Sequence, residues 1–384
     1  MTEKLYDFAP YENEFEGTVL SCEPCKEGFR VILDRTLFFP EEGGQTSDKG
    51  FLDNKEVLHV SIEGQEVVHT MAEKVEVGRK IRGIIDTAKR FSNMQMHSAE
   101  HIFSGLVHKQ FGYDNVGFHL SDNDATMDYN GKLDGEDIKK LERQVNEAIW
   151  KALKINTWYP DEDELSQLDY RSKSGIEGSV RMVEVETIDL CACCAPHVRN
   201  TSEIGIFKVV KFENYKGGVR LHYLAGKRAY EFLDNMQETV NELSRKLSSS
   251  PDKLIDGVNK LLNDNAELSF AMGKAKRESL INEINKSVEV ATAGSVFLFF
   301  AGEDNADLLR FGIDKLIESV DLPCFIYSGN DERGYRFILE GHGESVKDIF
   351  NEMKEKLSIK GGGKDTSFQG TIMASKQDIE NCLR

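Results

Sequence analysis

Arg90-Phe91-Ser92-Asn93-Met94-Gln95-Met96-His97-Ser98-Ala99-Glu100-His101-Ile102-Phe103-Ser104-Gly105-Leu106-Val107-His108-Lys109-Gln110-Phe111-Gly112 is the stretch on which the layout of the chain turns. Its pattern predicts a helix that begins near Arg90 and stops at Gly112, with Met94, His97, His101 and Leu106 on or near one face. His97 and His101 stand at i and i+4, so on a helix both imidazoles share that face and can grip one ion. Taken alone, the pair fits two hydrogen-bonded histidines beside a core equally well.

On the N-terminal side, Glu16 to about Ile85 reads as short strands with turns: Gly17–Leu20, Phe29–Leu33, Val57–Ile62 and Glu66–His69. A β-barrel-like module over residues 1–89 follows. On the C-terminal side a second, amphipathic helix is expected from about Glu136 to Leu153. Strand-like runs return between Thr187 and Tyr223 around a cysteine-rich loop, which makes 90–226 an α/β domain. The period then changes. Leu233, Met236, Val240, Leu243 and Leu247 step by three and four, as do Leu254, Val258, Leu261, Asn265, Leu268, Met272 and Ala275, with Ser250 and Pro251 placed to start the second run. An antiparallel helical hairpin over 227–290 is the plain reading, and alternating strands and helices give a small α/β domain over 291–384. The fold class is α+β, multidomain.

The 384 residues carry 48 Lys plus Arg against 66 Asp plus Glu, a formal net charge of -18. Coating of nucleic acid through global charge is excluded, and any phosphate contact must come from local basic patches. The run Val296–Ala301 falls far short of the roughly 20 residues a spanning helix needs. The first residues show no basic segment followed by an apolar one, so a cytoplasmic protein without a membrane association is expected. Of seven cysteines, five stand in two clusters (Cys22 and Cys25; Cys191, Cys193 and Cys194) and Cys324 and Cys382 stand alone, which does not resemble a secreted disulfide framework.

Ninety-two residues after His101 comes Cys193, within Cys191-Ala192-Cys193-Cys194-Ala195-Pro196-His197. His97, His101, Cys193 and His197 make a complete tetrahedral zinc set from two segments. Cys191 and Cys194 compete with Cys193 for the thiolate place, although spacing favours Cys193. Cys22-Glu23-Pro24-Cys25 falls in an expected hairpin turn with no second pair to complete a metal site.

Asp34-Arg35-Thr36-Leu37-Phe38-Phe39-Pro40-Glu41-Glu42-Gly43-Gly44-Gln45, followed by Asp48 and Gly50, resembles the glycine-rich motif that opens the editing region of alanyl-tRNA synthetase. Asp86, Arg90, the His97/His101 pair, Gly117–Leu120, Thr126–Asp128, Cys193-x-x-x-His197 and Thr201-x-x-Ile204-Gly205 follow in order. This pattern resembles the freestanding alanyl-tRNA editing proteins, the AlaX group. Gly361-Gly362-Gly363-Lys364 after the helical runs resembles the C-terminal domain of the synthetase and the related DHH-associated domain, so the long AlaX form is the nearest pattern. The resemblance runs from about Thr18 to the C-terminus and leaves no room for an aminoacylation module.

The resemblance implies zinc-assisted hydrolysis of mischarged tRNA-Ala, Ser-tRNA-Ala first and Gly-tRNA-Ala second. It implies a zinc-containing editing domain over 90–226, catalytic roles for Gln45, His97 and His101, and substrate contacts from Gly43, Gly44, Gln45 and His119. The loop departs from the usual Cys-Gly-Gly-Thr-His, and Glu41-Glu42 stand where some relatives place a threonine that meets the serine hydroxyl. Contact with tRNA is expected from Gly362, Gly363 and Lys364. A local basic strip between Gly205 and Tyr230, including Arg220, adds phosphate positioning. Phe232, Ile255, Leu262 and Phe270 lie off the helical seams and ask for a further covering surface, so a homodimer through the C-terminal region is expected. Two rivals use the same residues. His97-x-x-Glu100-His101 matches the H-x-x-E-H of inverzincin peptidases, and a structural zinc would leave a non-catalytic tRNA-binding dimer. A phosphodiesterase is excluded because no Asp-His-His triplet occurs.

Overall fold

The computed structural model describes residues 1–122, 125–172, 179–289, 295–302, 305–343 and 345–383. The chain forms two compact units, Met1–Asn241 and Glu242–Arg384. The architecture is α+β, with several sheets and eight α-helices among the described residues. The helices are α1 (Thr87–Phe111), α2 (Gly135–Trp150), α3 (Glu162–Gln167), α4 (Gly226–Leu247), α5 (Leu254–Glu289), α6 (Ala306–Ser319), α7 (Ser345–Lys356) and α8 (Lys376–Leu383). Among the described residues no helix is long and apolar enough to cross a membrane.

In the first unit, six antiparallel strands join edge to edge in a closed ring: Glu14–Cys25, Gly28–Leu33, Glu66–Met71, Lys55–Glu63, Gly50–Leu52 and Lys80–Ile85. Inward side chains of this ring, among them Val31, Leu33, Val60 and Val67, close on Phe38 and Phe39 to form one core. Register shifts between Val19 and Ser21 and between Val57 and His59 bend the two longest strands, as an extra residue on one side of a ladder does. Cys22 and Cys25 lie on the first strand, opposite Val31 and Gly28, so the turn itself falls on Lys26 and Glu27.

Helix α1 starts where Asp86 accepts from the Lys89 N–H and ends at Gly112 with φ +69°. The C-terminal end falls at Gly112 as the sequence pattern predicts, whereas the helix starts at Thr87, three residues before Arg90, because the Asp86 carboxylate caps it there. Its burial does not match a one-faced helix. Sixteen of its 25 residues are buried, from Arg90 to Val107, because α1 has α2, a four-stranded sheet and the ligand loop around it. The sheet runs Phe207–Tyr215, Gly218–Ala225, Ala125–Tyr129, Asn115–Leu120, and a three-stranded sheet of Ile155–Trp158, Met182–Val185 and Asp189–Ala192 stands beside it. Arg90, 2% exposed, ties α1 to the ring. It pairs with Asp48 and donates to the Leu37 and Pro10 carbonyls, while Asp48 also accepts from the Phe39 N–H at 2.7 Å. A buried ion pair of this kind holds only because its remaining donors and lone pairs are also satisfied.

In the second unit, strands Phe297–Phe300, Cys324–Asn330, Gly334–Glu340, Ser367–Ile372 and Ile359–Lys364 form one sheet in that spatial order. The first pair is parallel and the rest antiparallel. Alternation along Cys324-Phe325-Ile326-Tyr327 sends Cys324 and Ile326 toward α6 and the end of α5, and Phe325 and Tyr327 toward α7 and α8. The start of this domain at 291 lies outside the described residues.

Two expectations for the C-terminal region change. Gly361-Gly362-Gly363-Lys364 is not a loop but part of the edge strand, paired with Ser367–Gly370. A Cβ on Gly363 would lie 2.0 Å from the Ser367 carbonyl oxygen, so the glycines serve close strand approach. The helical seams are also not buried. Leu233, Met236 and Leu243 of α4 and Val258, Leu261, Leu268 and Met272 of α5 are exposed, and only Leu280 and Ile284 of α5 are buried. Periodicity marks an apolar stripe but does not name the surface that covers it.

Candidate functional site

Helix α1 presents His97 and His101 one turn apart, and the loop after Ala192 brings Cys193 and His197 against them. One ligand atom from each of the four lies within 4.8 Å of every other, so the group can hold a metal ion. Cys193 Sγ stands 3.6 Å from His97 Nε2 and 3.4 Å from His197 Nε2. A tetrahedral zinc with Zn–S of about 2.3 Å and Zn–N of about 2.0–2.1 Å separates sulfur and nitrogen ligands by roughly 3.6 Å. The spacing therefore fits that ion.

Each imidazole has its other nitrogen engaged. His97 Nδ1 donates to Gln45 Oε1 at 2.9 Å, and His101 Nδ1 donates to Asp189 Oδ2 at 3.1 Å. Ser98 Oγ stands 3.0 Å from His197 Nδ1. Such contacts fix the tautomer that leaves Nε2 free for a metal and hold the ring plane. Asp189 is itself held by Arg171, whose Nε and Nη2 donate to its two oxygens at 2.6 and 2.8 Å.

The three neighbouring thiols differ in their electrostatics. Burial works to raise the Cys193 pKa, but the imidazoles of His97 and His197 and the hydrogen bonds from His101 and His197 hold it well below the ordinary thiol range. Burial pushes Cys191 up to about 11. Burial, the Cys193 charge and Glu42 push Cys194 well above its ordinary value. Only a thiolate ligates well, so Cys193 is the sulfur ligand this environment favours. Cys191 groups with His101 and Asp189 in a second, overlapping set. Its Asp189 carboxylate is already taken by Arg171.

The Gly43-Gly44 motif is a tight turn: Glu42 and Gln45 exchange backbone hydrogen bonds, with φ of +62° and +84° at the two glycines. A Cβ on Gly44 would sit 2.2 Å from the Phe118 carbonyl oxygen. The Leu120 N–H donates to Gly44 O and the Thr46 N–H to Leu120 O, so the turn is sewn to the strand Asn115–Leu120. Gln45 is fully buried as a result, with its Oε1 on His97 and its Nε2 unpartnered. Phe118 packs on His97 at 4.6 Å between ring centroids. His119, next along the strand, is exposed and is not part of the cavity lining, as alternation on a strand requires.

Three of the four candidate ligand residues, His97, His101 and Cys193, line a cavity of about 1330 Å³ together with Gly43, Glu100, Arg171 and Tyr159, and His197, outside the lining, stands 3.4 Å from Cys193 Sγ. Glu100 Oε1 accepts from Ser104 Oγ and Asn115 Nδ2 at 2.5 and 2.6 Å. Burial opposes its charge, yet His101 and Arg171 hold its pKa below the usual carboxylate range.

Comparison with known proteins agrees with this geometry. The model for the threonyl and alanyl tRNA synthetase second additional domain matches residues 180–222, which include the Cys193/His197 loop, and that for class II (A) tRNA synthetases matches 10–89. The alanyl-tRNA editing protein AlaX-L of Pyrococcus horikoshii is 26% identical, over 99% of this chain and 96% of that protein. The chain resembles alanyl-tRNA editing proteins nearly end to end. Alanyl-tRNA editing protein Aarsd1 of Mus musculus is 26% identical over 97% of this chain and 95% of its own length. An alanine–tRNA ligase of Saccharolobus islandicus is 28% identical over the whole chain, which spans 43% of that ligase.

The residues expected to meet tRNA lie elsewhere. Arg220 donates to both oxygens of Asp128 at 2.6 Å and stacks 3.8 Å from the Tyr215 ring centroid. Other cations of the basic strip are engaged as well, Lys208 with Glu142, Lys211 with Glu213 and Lys227 with Glu231. Gly362, Gly363 and Lys364 are exposed on the edge strand of the second unit. Asp189 and Arg171 are the contributors that sequence reasoning missed. Their one local signal is that Asp189 stands two residues before Cys191, on the strand leading into the ligand loop.

Proposed function

We propose that this protein is an aminoacyl-tRNA deacylase that acts in trans on mischarged tRNA-Ala, with the seryl ester as the principal substrate and the glycyl ester as the second. The observation that carries the reading is the convergence of His97, His101, Cys193 and His197 at metal-binding spacing, with the first three on the wall of one cavity, within a chain similar along 99% of its length to an alanyl-tRNA editing protein. The four residues would hold zinc, which when bound polarises a carbonyl or lowers the pKa of water to about 7. Gln45 keeps His97 in register, and Asp189 does the same for His101. The Nε2 of Gln45 is a buried donor without a partner among the described residues, next to the Oε1 that holds His97. Engagement of Cys193 and His197 argues against an H-x-x-E-H peptidase, since a thiolate and a third imidazole would crowd that reaction. Deacylation of Ser-, Gly- and Ala-tRNA-Ala by zinc-replete protein tests the reading, with Ala-tRNA-Ala expected to survive. Absence of hydrolysis of any mischarged alanine tRNA would refute it.

The C-terminal region is proposed to pair two copies of the chain and to contact tRNA through Gly362, Gly363 and Lys364. The exposed apolar stripe of α5 supports the pairing. A cytoplasmic location accords with this substrate.

A further inference from the structure

Two aromatic side chains at the same cavity take no part in the ligand set. Phe8 is 77% exposed and Tyr159 36%. Both line the cavity, with ring centroids 6.2 Å apart and planes inclined at 42°. A phenylalanine this exposed removes little apolar surface from water, so folding gains little from it. A single exposed aromatic is ordinary. A pair on the wall of the cavity that holds the metal ligands calls for an occupant.

Tyr159 is also held in place. The Tyr159 hydroxyl donates to Asp7 Oδ2 at 2.8 Å, and Asp7 lies 3.8 Å from the Arg181 guanidinium. Arg181 in turn donates to the Cys193 and Ala195 carbonyls at 3.1 and 2.9 Å. A run of polar contacts thus connects Tyr159 to the loop that carries Cys193.

Resting on the deacylase reading, we infer that Phe8 and Tyr159 form a stacking site for the nucleobase at the 3′ end of the acylated RNA. The ester to be cleaved sits on the terminal ribose. When its carbonyl reaches the donor set, the base of that nucleotide is held one sugar away and needs an apolar face. Phenylalanine and tyrosine rings supply such a face without reading sequence. The inclined rings let a base lie on one while its edge meets the other. About 1330 Å³ exceeds the roughly 300–1,000 Å³ of a pocket for a drug-sized ligand, leaving room for a nucleoside as well as an amino acid. Lys4 lines the same cavity and offers a cation to a neighbouring phosphate.

The test uses full-length zinc-loaded protein, Phe8→Ala and Phe8→Trp. Two readouts are taken: kinetics on Ser-tRNA-Ala, and fluorescence of uncharged tRNA-Ala with 2-aminopurine in place of the terminal adenine. Stacking quenches the probe on the unmodified protein. Phe8→Ala should lose the quench and raise KM about 10-fold with kcat nearly unchanged, and Phe8→Trp should restore both. Far-ultraviolet circular dichroism and zinc content confirm that the variants fold. An unchanged quench and KM in folded Phe8→Ala would overturn the stacking site. Failure of the deacylase reading shows separately, as absent hydrolysis by the unmodified protein, while the quench remains readable without turnover.

Discussion

Asp189→Asn places the most informative single change between the metal ligands and the fold. The Asp189 carboxylate accepts from His101 Nδ1 at 3.1 Å and from Arg171 at 2.6 and 2.8 Å, and only 7% of the residue is exposed. An asparagine of the same shape keeps one carbonyl oxygen. If that oxygen faces His101, the amide N–H groups meet the Arg171 donors; if it faces Arg171, His101 loses its acceptor. Loss of such a partner typically weakens metal binding 10- to 100-fold, about 1.4–2.8 kcal/mol. A second cost falls on the fold, because Arg171 is left largely buried without its counter-charge. Breaking a fully buried pair costs about 3–5 kcal/mol, and the partial exposure of Arg171 puts this one toward roughly 2–3 kcal/mol. The two costs separate experimentally. Competition with a chromophoric chelator reads zinc affinity, and urea denaturation in excess chelator reads the fold alone. Arg171→Met leaves the Asp189–His101 contact in place, so its effect on zinc should be the smaller. An asparagine variant that binds zinc within twofold of the unmodified protein would refute the proposed coupling. Burial alone would raise the Asp189 pKa, but the hydrogen bonds from His101 and Arg171 hold it below the usual carboxylate range. The stabilisation is therefore fully present above about pH 4 and disappears only as pH falls through the lower folded value.

Elemental analysis should find one zinc per chain in Cys191→Ser and Cys194→Ser and little in Cys193→Ser or His101→Ala; equal zinc in all four would remove Cys193 from the ligand set. Gln45→Ala strips the acceptor from His97 Nδ1 and should lower zinc affinity about 10-fold and slow turnover, while tRNA affinity, measured by filter binding, stays put. His69 is buried neutral against Thr36 Oγ1 and the Val31 carbonyl, and burial lowers its pKa to about 4. Because only the unfolded chain takes up that proton between about pH 6.5 and 4, stability should fall as pH drops through this window, by roughly 2 kcal/mol from pH 7 to 5. Urea denaturation in chelator should show a shallower pH slope for His69→Gln, and identical slopes would contradict the assignment. Leu261→Glu with Leu268→Glu on the exposed face of α5 should convert a dimer to monomer in sedimentation, with zinc content unchanged.

The parts of the fold legible in the sequence are those fixed by short-range chemistry. Gly112 ends α1 where a left-handed backbone is needed, and the i, i+4 spacing of His97 and His101 follows from helical pitch alone. Ring strands appeared at the expected places because alternation persists along each, although they extend further in the structure, to Glu14–Cys25 for the first. The three glycines at 361–363 misled for a specific reason: glycine marks both loops and strands that must approach closely, and only the pairing with Ser367–Gly370 distinguishes the two. The apolar stripes of α4 and α5 are legible as stripes, but a heptad carries no information about which surface lies opposite.

The site divides along the same line. Ligands announce themselves because a metal needs soft or imidazole donors at spacings set by one helix turn or one short loop. The groups that orient those ligands follow no such spacing. Gln45 reaches His97 from 52 residues away and Asp189 reaches His101 from 88, each across a contact that exists only after the ring, the sheet and α1 have packed. Gln45 was visible through its motif, but the role suggested by position, facing the substrate, differs from what its oxygen does, which is to hold a ligand. Arg220 shows the converse. Its charge and its basic neighbours suggest a phosphate contact, and the fold adds a counter-charge: Asp128 on the adjacent strand, opposite Arg220 in register, accepts from Nε and Nη2. Sequence reports that a charge is present, and folding decides whether a counter-charge reaches it first. Gln45 Nε2 is the opposite case: it is buried, and no group among the described residues engages it, so the fold leaves its partner open.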